Sequence, residues 1–199
     1  MAIKTTRQEI KSMQTRQTLL DSAIELFMKY GVKKVTIDDI CDHCNLTKGA
    51  FYYHFPSKDH IVTLSINSGM DKFILENYAI EKITKTKDQL IELNLCAFKY
   101  FESIGKEMTR FSYISLFSKT VEVRIEGRPY VDNLTAIIKK AQEEGSLLMN
   151  FNFNEAYMHS ISAFTGILMK WSTSIDSSYN DIDWVKMIKE QFRIMFKEE

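Results

Sequence analysis

The sequence predicts an all-α protein: a small three-helix head at the N-terminal end and a larger helical body, about nine helices in all. Three observations predict it. Proline and glycine are scarce, at 2 and 7 of 199 residues, while Leu, Ile, Lys, Glu, Met and Phe abound, a composition that favours long helices over sheet. Apolar residues recur at three- and four-residue spacing along most of the chain. Short polar residues stand just ahead of several of these stripes, where they can cap helix N-termini.

The first helix is expected over 15–30. Leu19, Leu20, Ala23, Ile24 and Phe27 form its stripe, and Gly31 follows as a C-terminal cap. Thr36 precedes Ile37-Asp38-Asp39-Ile40 and can cap a second, short helix ending near Cys44-Asn45, with Asp39 at N3 favourable to the dipole. Asn45 stands where a left-handed residue is needed, and asparagine is the best non-glycine for it. Thr47 caps a third helix over 48–54, whose wheel sends Phe51 and Phe55 one way and Gly49, Tyr52 and Tyr53 the other. Pro56 stops it, since the residue before proline avoids the helical region. Ser57 caps a fourth helix, expected over 58–82.

Helical patterns then follow over 87–103, 107–118, 130–144, 154–172 and 183–197. The stretch 119–129 breaks the pattern and reads as a loop or extended segment, and 173–183 is a polar connection. The domain division expected from this layout is 1–57 for the head and 58–199 for the body.

Composition narrows the function. With 45% apolar residues the chain has material for a core, and a disordered chain is excluded. Formal net charge is zero, 26 basic against 26 acidic residues, so any nucleic-acid surface must be local. No apolar stretch follows Lys4, Arg7, Lys11 and Arg16, so no signal peptide is expected. No run reaches the length that spans a bilayer, and 163–169 stops at Lys170. Three cysteines make no disulfide scaffold; a cytoplasmic location suits them.

Cys41-x-x-Cys44 with His43 between is tempting as a metal or redox pair, but no second CxxC or spaced His pair completes it. The four histidines are scattered. No Ser/His/Asp or HExxH grouping and no glycine-rich phosphate loop occurs. We therefore expect no enzyme, metal or cofactor.

The residues FYYHFPSK at 51–58, preceded by LTKGA at 46–50 and TIDDI at 36–40, resemble the helix-turn-helix signature of the TetR (tetracycline repressor) family. The signature covers roughly 15–62. The remaining two-thirds resemble the family only in layout, with a helix ending EEGSL at 143–147 and an apolar helix carrying Trp171. Asn45 stands where the family usually has glycine, and Cys41 and Cys44 where alanines are common. The resemblance implies a DNA-binding regulator with a ligand cavity in the body and no cofactor.

The residues suit that role. Thr36 and Thr47 lie at helix N-termini, which attract phosphate oxygens. Lys48 and Lys58 bracket the third helix and can neutralise backbone charge. Gly49 permits close approach to base edges, and Ala50 can meet a thymine methyl. By family analogy Tyr52, Tyr53 and His54 contact phosphates or bases, with Lys48, Gly49, Ala50 and Tyr53 nearest the bases. Lys33 and Lys34 read either as a solvated pair or as groove flanks, and Lys4, Arg7 and Lys11 either as a disordered tail or as an arm on DNA.

One short helix reads few base pairs, so two heads on a two-fold dimer are needed to read a palindrome. The last two helices can supply the dimer. Tyr157, Ile161, Phe164 and Leu168 stripe the first of them, and Trp184, Ile188, Phe192 and Met195 the second. The cavity implied by the resemblance would draw on the aromatic middle helices: Phe98, Phe101, Phe111, Ser115, Tyr130, Asn133, His159 and Trp171. The expected protein is a homodimeric repressor released from a palindromic operator by a small, largely apolar ligand. The alternatives are a DNA-binding activator or chromosome-associated factor of the same fold without ligand gating, and a helical small-molecule binder or enzyme whose head is incidental.

Overall fold

Helix caps written into the sequence set the boundaries of the fold, beginning with α1. The computed structural model describes residues 6–117, 127–148, 150–174 and 181–197, without the side chains of 115–117. Among these residues the elements are α1 (Arg7–Tyr30), α2 (Ile37–His43), α3 (Lys48–His54), α4 (Lys58–Asn77), a 3-10 turn (Ile80–Lys82), α5 (Thr86–Phe117), α6 (Pro129–Glu143), α7 (Phe153–Thr173) and α8 (Trp184–Arg193). The all-α expectation of a head and a larger helical body holds. The chain forms two compact units, residues 1–68 with 111–123, and residues 69–110 with 124–199.

In the first unit α1, α2 and α3 each touch the other two. Their contact is built from Leu19, Leu20, Ala23 and Phe27 of α1, Ile40 and Cys41 of α2, and Phe51 of α3, and Val32, Val35, Phe55, Ile61 and Val62 are buried as well. Each fully buried large side chain of this kind contributes about 1.5–3 kcal/mol. Asn45, at φ 54, makes the turn between α2 and α3, and Leu46 donates its N–H to the Cys41 carbonyl at 2.9 Å.

Helix α1 starts eight residues earlier than its apolar stripe predicts. A capping box begins it: the Thr6 hydroxyl accepts from the Glu9 N–H at 3.2 Å, and the Glu9 carboxylate accepts from the Thr6 N–H at 2.6 Å. That backbone hydrogen bond, and then the Thr6 hydroxyl, hold the Glu9 carboxyl below its ordinary range. The added turns bury no apolar residue, so periodicity could not show them.

The second unit is organised on α5 to α8, with α6 packed on α7 and α7 on α8. Its core includes Leu90, Leu93, Ala97 and Phe98 of α5, Leu134, Ile137 and Ile138 of α6, Phe164 and Leu168 of α7, and Ile188 and Phe192 of α8. The fully buried amide of Asn94 is satisfied: it donates to the Leu90 carbonyl at 2.8 Å and accepts from the Tyr130 hydroxyl at 2.8 Å. The two helices expected over 87–103 and 107–118 are present as the two arms of α5, parted at Gly105, whose φ of 79 and ψ of 166 break the helical path. Beyond that break Lys106 donates to the Ser174 carbonyl at 2.8 Å and Arg110 to the Ser172 carbonyl at 2.6 Å. Two cations thus sit on the last carbonyls of α7, where the helix dipole favours positive charge.

Helix α4 ends at Asn77, short of the expected 82. Gln89 takes over the carbonyls that a longer helix would have used, donating to those of Ile80 at 3.3 Å and Ile83 at 2.7 Å. Arg128 grips Asp71 of α4 with Nε to both carboxylate oxygens, at 3.1 and 3.3 Å. An isolated antiparallel bridge pairs Leu147 with Phe196 after α8. The expected loop over 119–129 falls mostly, and the polar 173–183 connection partly, outside the described residues.

Candidate nucleic-acid interface

A seven-residue helix is too short to persist by propensity, so α3 is held by its cap and its inner face. Thr47 accepts from the Ala50 N–H at 3.1 Å. Phe51 and Phe55 are 0% exposed, with ring centroids 5.7 Å apart. The opposite face is left to solvent: Tyr52 is 54% exposed and Tyr53 78%. Tyr52 meets Phe51 edge-on at 5.5 Å and Tyr53 meets His54 at 4.9 Å, yet more than half of each tyrosine is left outside the packed core.

Gly49 is exposed on the same helix. An added Cβ would meet nothing closer than the Thr47 hydroxyl at 3.6 Å, an ordinary contact, so the head's own packing accepts a side chain there. Ala50 is half-buried beside it. His54 is half-buried, and desolvation, then the Arg16 charge, push its imidazole below the ordinary value.

Helix α2 opens with a reciprocal cap. The Thr36 hydroxyl accepts from the Asp39 N–H at 3.2 Å, and Asp39 accepts from the Thr36 N–H at 2.7 Å. That backbone hydrogen bond, and next the hydroxyl, hold the Asp39 carboxyl below its ordinary range. Thr36 itself is exposed. Of the two lysines expected to bracket α3, Lys48 is engaged, its ammonium lying 2.7 Å from Asp38 of α2. Lys58 is half-buried at the start of α4, and desolvation lowers its ammonium from the ordinary lysine value. Periodicity passed over Arg16 and Asp38. Arg16 lies with its guanidinium 5.2 Å from the Phe55 ring centroid, and only a three-dimensional arrangement brings either residue to α3.

Cys41 is buried, and burial pushes its thiol pKa up. The Cys44 thiol donates to the Ile40 carbonyl at 3.1 Å. Among the described residues no group of three or more His, Cys, Asp or Glu side chains is arranged to hold a metal.

The residues expected to line a ligand cavity are placed differently from the expectation. Phe98 lies edge-on to Trp171 at 5.3 Å, and Tyr130 stacks on Phe164 at 5.9 Å. Phe101 stands 6.4 Å from Phe164. These aromatics fill the core against one another. Asn133 turns its amide to the Pro129 carbonyl at 2.8 Å. His159 is half-buried beside Phe151, its Nδ1 buried with no hydrogen-bond partner among the described residues. Phe111 belongs to the first unit, and the Ser115 side chain lies outside the described residues. A separate groove of about 560 Å³ in the second unit is lined by residues that include Phe73, Tyr78, Ile83, Glu92, Cys96 and Lys99.

The dimer stripe needs the same correction. Phe164, Leu168, Ile188, Phe192 and Met195 are buried within the protomer, where α7 packs on α8. An apolar stripe marks the inward face first. Tyr157, Ile161 and Trp184 are half-exposed, and the apolar side chains open to solvent on these helices are Met158, Met169, Val185 and Met187.

Residues 19–63 match the model described as bacterial regulatory proteins, tetR family. The probable acrEF/envCD operon repressor of Escherichia coli K12 is 24% identical over 176 residues, 83% of this chain and 79% of that protein. IcaR, the negative transcriptional regulator of the biofilm operon icaADBC in Staphylococcus aureus strain Newman, is 30% identical over 101 residues, 51% of this chain and 53% of its own length. In fold the chain is similar to the transcriptional regulator FadR from Bacillus subtilis, solved in complex with stearoyl-CoA, at TM-score 0.57 and 14% identity over 91% of this chain and 97% of that one. FadR of Bacillus halodurans gives a TM-score of 0.59 at 14% identity over 98% and 97%. No helix among the described residues is long and apolar enough to cross a membrane.

Proposed function

We propose that this chain, a DNA-binding regulator belonging to the tetR family through its head, is a homodimeric repressor that leaves a palindromic operator when a small, largely apolar ligand binds its body. The observation that carries the reading is α3, an internally anchored helix with Tyr52 and Tyr53 exposed on its outer face. Lys48, Gly49, Ala50 and Tyr53 meet the major groove, while Thr36, Thr47, Tyr52, His54 and Lys58 position the head on phosphates. Residues 1–57 do the reading, and 58–199 carry dimer and ligand.

The half-exposed Ile161 with Met158, Met169, Val185 and Met187 supplies the partner-facing apolar surface. Repression is supported by the names of two relatives, an operon repressor and a negative regulator. The fold neighbour solved with stearoyl-CoA supports an apolar effector class.

Selection of duplexes from randomised DNA by the purified protein tests the reading: an inverted repeat should enrich. Failure of any duplex to enrich overturns it. Ligand gating needs the effector and the operator to weaken each other reciprocally. Titration calorimetry of candidate effectors with and without the selected duplex measures that, and equal affinities in the two cases reject gating.

A further inference from the structure

We propose that the first two turns of α1 form a DNA-binding arm, with Arg7 and Lys11 lying on phosphates that flank the site read by α3. The inference rests on the reading above and extends it to a surface that the helix-turn-helix pattern does not include.

The first buried residue of α1 is Leu19, yet the helix begins at Arg7. The turns between bury no apolar side chain; Ile10 is 47% and Met13 66% exposed. Helices lacking a packed face are marginal in water, and this one is kept by the Thr6–Glu9 capping box. The box also consumes the acidic residue of the extension: the Glu9 carboxylate is turned back onto the Thr6 N–H at 2.6 Å. Glu9 stays exposed, and its lowered pKa keeps it ionised, so the extension sets two cations against one anion that is drawn back toward Thr6. Arg7 and Lys11 are both exposed, and they stand one turn apart on the same face, about 6 Å along the axis.

Position within the head agrees. Arg16 of α1 places its guanidinium over Phe55, the residue that closes the C-terminal end of α3. The extension therefore leaves the head from that end of the reading helix. N-terminal residues of a recognition helix meet base edges, so its other end faces flanking backbone. Eight residues of helix reach about 12 Å further.

Charge supply gives an independent reason. Duplex binding rests on neutralising several phosphates. The reading helix is poorly provided: Lys48 is tied to Asp38 at 2.7 Å, Lys58 is half-buried, and Asp38, Asp39, Asp42 and Asp59 are exposed nearby in the sequence. Cations from beyond the reading helix are needed, and the extension presents two.

The test uses the full chain and the duplex selected above, with affinity measured by fluorescence anisotropy between 50 and 200 mM salt. Arg7→Ala/Lys11→Ala should lower the salt slope by about two, so the wild type loses about tenfold more affinity than the variant across that range. Base preference should be unchanged, and the difference should vanish on a duplex trimmed of its flanks. Far-ultraviolet dichroism checks that the variant keeps its helix. An unchanged slope overturns the arm, as does a weakening seen only with Ile10→Ser/Met13→Ser, which would mark an apolar contact instead. Absence of any selected duplex is a different result, and it removes the repressor reading itself.

Discussion

Helices α3 and α7 carry the same kinds of side chain and use them in opposite ways. On α7, Phe164 and Trp171 are buried among Phe98, Phe101 and Tyr130, and their removal would leave voids. On α3 two phenylalanines are buried and two tyrosines are displayed. Burial, and not residue type, separates an aromatic that holds the protein together from one kept for something else.

The widest test of that contrast pairs two neighbours. Phe51→Ala empties a fully buried site and should destabilise the protein by about 3–5 kcal/mol. Tyr53→Ala removes a side chain of similar size that is 78% exposed, and should change stability by less than about 0.5 kcal/mol. Chemical denaturation measures both. Operator affinity should fall at least about tenfold for Tyr53→Ala, an amount equivalent to about 1.4 kcal/mol. Equal stability losses would break the comparison.

Two glycines sharpen it. At Gly69 of α4 an added Cβ would stand 2.5 Å from the Tyr100 hydroxyl. Gly69→Ala should therefore destabilise by about 1–3 kcal/mol despite the better helix propensity of alanine. Tyr100→Phe in the same chain should recover part of the loss. At Gly49 of α3 the nearest atom is 3.6 Å away, so Gly49→Ala should raise stability by about 0.5–1 kcal/mol. The same change should weaken binding to the selected duplex, because the added methyl group meets the groove and not the protein. Thermal melts and anisotropy on both variants separate the cases.

These contrasts explain what could be read in the sequence. The bounds of α2 and α3 were legible because threonine caps, Asn45 and Pro56 write them locally. The head's buried and exposed faces followed from helical spacing. The α1 extension buries no apolar residue, so the core stripe that begins at Leu19 does not reveal it. Gly105 parts α5 into two arms, and the break between the two apolar patterns shows it. In the body an apolar stripe reports only that a face is covered, by the protomer itself or by something else. Phe164, Leu168, Ile188, Phe192 and Met195 therefore looked available to a partner. The pairs Asp38–Lys48, Arg128–Asp71 and Thr86–Glu144 join residues that lie far apart in sequence or on different helices, and no local pattern points to them.

The smallest expected effect concerns two threonine caps that look alike. Thr36 and Thr47 each accept a backbone N–H three residues on, at 3.2 and 3.1 Å, and replacing either by alanine should destabilise by about 1 kcal/mol at pH 7. Only Thr36 has an acidic partner, since its hydroxyl donates to Asp39 at 2.7 Å, whereas the third residue of α3 is Ala50. The Asp39 carboxyl titrates below its ordinary value of 3.8 in the folded chain, chiefly through the Thr36 N–H. A depressed carboxyl stabilises the fold above the unfolded value and ceases to do so as pH falls through the folded one. The variant keeps the Thr36 N–H contact and lacks only the hydroxyl that donates to Asp39, so the penalty of Thr36→Ala should shrink only by the part that this second contact contributes as pH is lowered below about 4. The penalty of Thr47→Ala should stay level over the same range. Urea titrations of the three proteins at pH 7 and at about pH 3 read the difference, and parallel pH curves for the two variants would show that the hydroxyl contact to the Asp39 carboxylate contributes nothing to the first cap.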